Sequence, residues 1–92
     1  MRIGFIGLGN VGGKLAGSLL RNGHDLQVHD LNREVRDGFA ARGCKVSSTP
    51  AHMMRDCEAV ITCLPSPAAS AAVMEEMLPE VAPGKIWMEM FT

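Results

Sequence analysis

The residues with the plainest chemistry lie at the start of the chain. Gly7-Leu8-Gly9-Asn10-Val11-Gly12 is a G-x-G-x-x-G run, and Asp30 stands 18 residues beyond its last glycine. Each glycine has its own physical reason. Gly7 permits a tight turn, Gly9 carries no Cβ and lets a pyrophosphate approach the backbone, and Gly12 lets a helix lie close to a sheet. The unpaired N–H groups of a helix start, near Asn10 and Val11, can then face phosphate oxygens with the helix dipole behind them. Asp30 can accept hydrogen bonds from the hydroxyls of an adenosine ribose. The constellation predicts a dinucleotide site. NAD is the expected cofactor, because a carboxylate repels a 2′-phosphate. Arg33 and Arg36 follow closely and keep NADP as the alternative.

Other site chemistries fit less well. Gly13-Lys14 suggests a nucleotide P-loop, but Leu8 stands where that motif needs its first glycine and Leu15 where it needs Ser or Thr. Cys44, Cys57 and Cys63 form no C-x-x-C pair and lie in apolar surroundings, so they are expected to be buried thiols acting as small hydrophobes. His24, His29 and His52 lack the spacing of metal ligands. No metal site is predicted.

A glycine motif of this kind works only between a strand and a helix, and the pattern along the chain supplies both. Arg2 to Ile6 is a short apolar run suited to a buried strand. From Asn10 to Asn22, Val11, Leu15, Leu19 and Leu20 recur at helical spacing, and Gly23 ends the helix. Leu26 to His29 predicts a second strand leading into Asp30. Asn32 caps a helix that carries Val35 and Phe39 and stops at Gly43. Cys44 to Val46 is a short third strand. Thr49-Pro50 opens a brief helix through about Arg55. Ala59 to Leu64 is the clearest strand, closed by Pro65. Ser66-Pro67 repeats the cap-plus-proline signal and starts a helix expected to bury Val73, Met74, Met77 and Leu78 along one face. Pro83-Gly84 is a turn, and Lys85 to Met90 is a fifth strand. Strands alternating with helices predict an α/β fold, a Rossmann-like doubly wound parallel sheet of five strands in the order 3-2-1-4-5. The seven methionines suggest an adaptable core.

Composition sets the outer limits. Ninety-two residues, 47% hydrophobic and 21% charged, make one domain over residues 1–92 and argue against disorder. A formal charge of −1 without a basic run makes nucleic acid an unsuitable partner. No apolar stretch is long enough to cross a bilayer, and the glycine-broken N-terminus lacks the continuous apolar core of a signal peptide. A cytoplasmic chain that meets no membrane is expected.

Residues 4–24 resemble the N-terminal signature of the β-hydroxyacid dehydrogenases, G-F-I-G-L-G-x-M-G-x-x-M-A-x-N-L, with A-G-H closing the helix. Val11 and Leu15 replace its two methionines, and Ser18 its asparagine. Val28-His29-Asp30-Leu31-Asn32 is similar to the family's second-strand end. Cys63-Leu64-Pro65 resembles the segment lying along the nicotinamide-side ribose, and Met88-Glu89-Met90-Phe91-Thr92 resembles its D-x-S-T segment. The resemblance implies that Leu64, Pro65 and Thr92 join Gly7, Leu8, Gly9, Asn10, Val11, Gly12 and Asp30 as cofactor-binding residues.

It also implies the dinucleotide-binding part of an oxidoreductase that transfers hydride between NAD(P) and a small β-hydroxyacid or semialdehyde. Two features depart from the family. Phe91 stands where the family has a substrate-binding serine, and none of Lys14, Lys45 and Lys85 matches the motif of its catalytic lysine. That lysine belongs to an all-helical domain that follows in the family. The chain is therefore expected to be a fragment that binds cofactor without turnover. Its small-molecule substrate would be met only in the full-length parent. Met88, Met90 and Phe91 allow a homo-oligomer. The alternatives are a non-catalytic NAD(P)-binding regulatory module, the cofactor domain of an imine or pyrroline-carboxylate reductase, and, less in keeping with the glycine motif, a dimerisation unit.

Overall fold

A computed structural model describes residues 1–90. The elements follow in the order β1 (Arg2–Ile6), α1 (Asn10–Arg21), β2 (Asp25–His29), α2 (Arg33–Ala41), β3 (Lys45–Val46), α3 (Pro50–Asp56), β4 (Ala59–Cys63), α4 (Pro67–Met77) and β5 (Ile86–Met90), with a single 3₁₀ turn at Leu78–Glu80. All strand pairs are parallel, and the sheet order is β3-β2-β1-β4-β5, as the alternation of elements predicts. The 3₁₀ turn, which holds Pro79, has no counterpart among the sequence expectations.

The central strand β1 divides its side chains between two cores. Phe5 joins Leu26, Val28, Phe39 and Ala16 beneath α1 and α2. Ile6, on the opposite face, joins Met53, Met54, Val60 and Met77 beneath α3 and α4. This is the period-two alternation of a sheet covered on both faces. Gly4 lies under α3, where a Cβ would strike the Met53 thioether and sit 3.2 Å from Cys57 Sγ. The polar groups in the second core find partners. Gln27 donates to Ser47 Oγ, and the Trp87 indole N–H donates to Thr62 Oγ1 at 3.1 Å.

Two expected helix faces need correction. Val11 and Leu15 are 47% and 36% exposed, and α1 instead buries Gly12, Ala16 and Gly17, with Leu19 and Leu20 half-buried. A helix held this near to a sheet must present small residues, so its larger apolar side chains are pushed to the flanks. In α4 the packed line is Ser70, Val73 and Met77, at i, i+3 and i+7, while Met74 and Leu78 sit about 100° further round and are exposed. The methionines divide in the same way. Met53, Met54 and Met77 are core, whereas Met1, Met74, Met88 and Met90 are exposed.

The three cysteines are free and buried. Burial pushes the Cys57 thiol up to about 11 and raises that of Cys44 as well, which keeps both protonated and inert at neutral pH. Lys85 is also a structural residue. Its ammonium donates to the carbonyls of Met54, Arg55 and Cys57, closing the C-terminal end of α3.

Candidate functional site

The glycine run forms the turn between β1 and α1. Gly7 adopts φ +98°, a left-handed conformation that favours glycine, and a Cβ there would strike the Cys63 carbonyl on the neighbouring strand β4. Its N–H donates to the His29 carbonyl at 3.1 Å. A Cβ on Gly12 would strike the Gly7 carbonyl and come within 3.3 Å of the Phe5 ring. Both glycines are thus fixed by packing. Gly9 is different, since its missing Cβ would meet nothing within 4 Å.

The start of α1 is the unusual helix end of the molecule. α2, α3 and α4 are capped by the side chains of Asn32, Thr49 and Ser66, each accepting from a first-turn N–H. α1 has Gly9 at that position and no side-chain cap, and its first turn holds no acidic residue. The first backbone bond into the helix runs from Gly13 N–H to the Gly9 carbonyl at 2.6 Å. Among the described residues, the N–H groups of Asn10, Val11 and Gly12 have no acceptor. Three aligned donors at the positive end of a twelve-residue helix make an anion cradle.

These groups open onto a cleft of about 870 Å³ at the carboxyl ends of the strands, where β1 and β4 lie side by side and the chain's crossovers diverge. Gly7, Gly9, Asn10, Val11, Gly12 and Asp30 line one side, and Leu64 and Pro65 line the other. Leu8 does not line it. Its side chain is buried against Phe5 and Ala16, and its N–H donates to Asp30 Oδ2 at 2.7 Å. Asp30 Oδ1 accepts the Asn32 N–H at 2.8 Å. Thr92 lies outside the described residues.

Of the two arginines, only Arg36 reaches the cleft. Arg33 is solvated and pairs with Asp37 at 3.8 Å. The cleft has further walls that sequence spacing did not indicate. His29, Ser48, Thr49 and Pro50 come from the ends of β2 and β3, and Ala69, Ala72, Val73 and Glu76 from α4. The His29 ring is buried, with Nδ1 2.8 Å from the Ser47 carbonyl. The only sequence signals at these places are the two cap-plus-proline pairs, which announce a helix start at a strand's carboxyl end without saying what it faces. The result is an apolar slot with an anion cradle and a carboxylate at one end, a shape and polarity that suit an adenosine joined to phosphates.

Comparison with known proteins agrees with this geometry. Residues 2–92 match the family model described as the NAD binding domain of 6-phosphogluconate dehydrogenase. The chain is 40% identical over 75 residues, 82% of its length, to the mitochondrial 3-hydroxyisobutyrate dehydrogenase of Drosophila melanogaster, of which it covers 23%. Among solved structures it superposes on the 3-hydroxyisobutyrate dehydrogenase of Mycobacterium tuberculosis, determined with L-serine, with a TM-score of 0.90 at 26% identity. That match covers 99% of this chain and 31% of the other. An imine reductase from Myxococcus stipitatus in complex with NADP+ gives 0.91 at 17% identity, covering 99% and 32%, which is a likeness of fold. The chain therefore spans less than a third of each of these proteins. Matched from residue 2 to residue 92, it belongs to the family of the NAD binding domain of 6-phosphogluconate dehydrogenase, the cofactor domain of the β-hydroxyacid dehydrogenases.

Proposed function

We propose that residues 1–92 are the cofactor half of an NAD(P)-dependent oxidoreductase that acts on a small β-hydroxyacid or semialdehyde. The observation that carries the reading is the uncapped start of α1, opening with Asp30 into one cleft. In this reading the amides of Asn10, Val11 and Gly12 hold the pyrophosphate, Gly9 gives it room, and Gly7 and Gly12 let the turn and the helix pack closely enough to present those amides. Leu8 contributes through its peptide. Asp30 accepts from the adenosine ribose, while Leu64, Pro65 and Thr92 border the nicotinamide side. NAD is the preferred cofactor because Asp30 is an anion at the ribose, and Arg36 is the cation that would meet a 2′-phosphate. The bound nicotinamide supplies hydride transfer, and this chain orients it.

Turnover belongs to a second domain that supplies the proton-transfer group and closes over the substrate. The distribution of lysines supports that division, since none of Lys14, Lys45 and Lys85 lines the cleft. A reducing compartment, the cytoplasm in the first instance, suits three unpaired thiols. The exposed Ile86, Met88 and Met90 on β5 favour association with another apolar surface, a second copy included.

Calorimetric titration of the chain with NAD and NADP, beside Asp30→Ala, tests the reading. NAD binding that is tighter than NADP binding and weakens on losing Asp30 is the expected result. Binding of neither cofactor overturns it.

A further inference from the structure

Asp30 does more than wait for a ribose. Both of its carboxylate oxygens are already engaged by the backbone, Oδ2 by the Leu8 N–H at 2.7 Å and Oδ1 by the Asn32 N–H at 2.8 Å. Leu8 immediately precedes Gly9, the residue at the cap position of α1, and Asn32 is the side-chain cap of α2, accepting from Glu34 N–H at 2.9 Å. One carboxylate, 22 residues beyond Leu8, therefore joins the starts of two successive helices.

We infer that Asp30 is a positioning residue for the phosphate cradle: it holds the Leu8 peptide so that the amides of Asn10, Val11 and Gly12 stay turned into the cleft. The inference rests on the dinucleotide reading of the cleft and adds a second role to the acid. The turn has few other restraints on this stretch. Gly7 N–H is held by the His29 carbonyl, and the next backbone bond is Gly13 N–H to Gly9. Between them the Leu8–Asp30 bond is the one polar tie among the described residues. The Leu8 side chain is anchored in the core, so fixing its N–H as well fixes the orientation of the peptide that leads into Gly9. A cradle of backbone donors binds an anion well only if the donors are aligned beforehand, because aligning them on binding costs conformational entropy. The two roles are compatible. A carboxylate offers about four lone-pair directions, and the two backbone donors leave one on each oxygen for a ribose hydroxyl.

The test separates bracing from ribose recognition with a probe that has no ribose hydroxyls, 2′,3′-dideoxyadenosine diphosphate. Asp30→Asn and Asp30→Leu remove the same charge, but only asparagine keeps a side-chain oxygen able to accept the Leu8 N–H. Bracing predicts that Asp30→Leu binds the probe about tenfold more weakly than Asp30→Asn, the scale of one hydrogen bond to a buried donor. It also predicts faster hydrogen exchange at the Leu8 amide of the ligand-free leucine variant, measured by NMR. Equal probe affinity in the two variants, or equal Leu8 exchange, overturns the inference. Should the leucine variant fail to fold, Asp30→Ala takes its place with the same two outcomes. Failure of the wild-type chain to bind NAD refutes the dinucleotide reading separately, and the exchange measurement still decides the brace in the free protein.

Discussion

Gly9 and Gly12 look alike in the motif, yet the structure gives them opposite consequences on substitution. At Gly12 a methyl group would strike the Gly7 carbonyl and sit 3.3 Å from the Phe5 ring. The carbonyl cannot retreat easily, because Gly7 is itself wedged against the Cys63 backbone. Overpacking of this kind costs roughly 1–3 kcal/mol. In a domain of this size each kcal/mol lowers the melting temperature by about 4–8 °C, so Gly12→Ala should melt roughly 10 °C below the wild type. At Gly9 the added methyl meets nothing within 4 Å, and φ is −69°, which any residue adopts. Alanine is a poorer cap than glycine by up to about 1 kcal/mol. It also restricts the unfolded chain, a gain of about 0.4–1 kcal/mol. The two effects offset, and Gly9→Ala should melt within a few degrees of the wild type. Its methyl group nevertheless occupies the space through which a pyrophosphate reaches the α1 amides, so NAD affinity should fall about tenfold or more, roughly 1.4 kcal/mol. Thermal denaturation followed by circular dichroism, with calorimetric titration of the same samples, reads both effects. A Gly9→Ala protein that melts as low as Gly12→Ala, or that binds NAD like the wild type, would refute the reasoning.

Three further outcomes are expected. Arg36→Ala should weaken whatever NADP binding the chain shows and leave NAD binding within about twofold, while the solvated Arg33→Ala changes neither; titrations with both cofactors decide it. Lys85→Met should remove the ammonium that closes α3 and destabilise the fold by about 2 kcal/mol, seen as a lower urea midpoint with NAD affinity retained by the folded fraction. The third concerns Cys57, whose thiol burial pushes up from an ordinary 9.0 to about 11. Between these values the unfolded chain holds fewer protons than the folded one, so stability falls as pH climbs from about 9 to about 11, by about 3 kcal/mol in all. Cys57→Ala should flatten that slope to the part that buried Cys44 contributes, and denaturant midpoints measured across the same pH range would show an unchanged slope if burial of the Cys57 thiol were not its main cause.

Much of the fold was legible because its signals are local. Asn32, Thr49-Pro50 and Ser66-Pro67 mark helix starts by chemistry confined to three or four residues, and the structure uses each as a cap. The inward face of α1 was legible only at Gly12, which the glycine motif marks for close packing, and not at Ala16 and Gly17. Its pattern of Val11, Leu15, Leu19 and Leu20 suggests an ordinary apolar stripe, whereas a helix pressed onto β1 is chosen for what it lacks at Gly12 and Ala16. Hydrophobic periodicity weighs large side chains, and a close contact made by small ones escapes it. Met74 and Leu78 mislead for a related reason: α4 is apolar nearly all round, so its pattern does not single out the face that Ser70, Val73 and Met77 turn inward.

The glycine turn and Asp30 were visible because one short crossover brings them together and the motif has a fixed spacing. The rest of the cleft comes from Ser48, Thr49 and Pro50 after β3 and from Ala69, Ala72 and Val73 on α4, segments that no local pattern ties to one another. They meet because β4 is inserted beside β1 rather than beside β3, so the connection after β3 must pass over the sheet to the far side of β1. That reversal separates the neighbouring crossovers and leaves a crevice at the strand ends. Alanine at 69 and 72 reads in the sequence only as a good helix former; in the structure its small size keeps the slot open. Substituting a large side chain at Ala72, which is exposed on the cleft wall, should therefore leave the fold intact while narrowing the place where an adenine ring would lie. On the proposed reading, topology gives a place in the cofactor cleft to a residue whose type carries no sign of it.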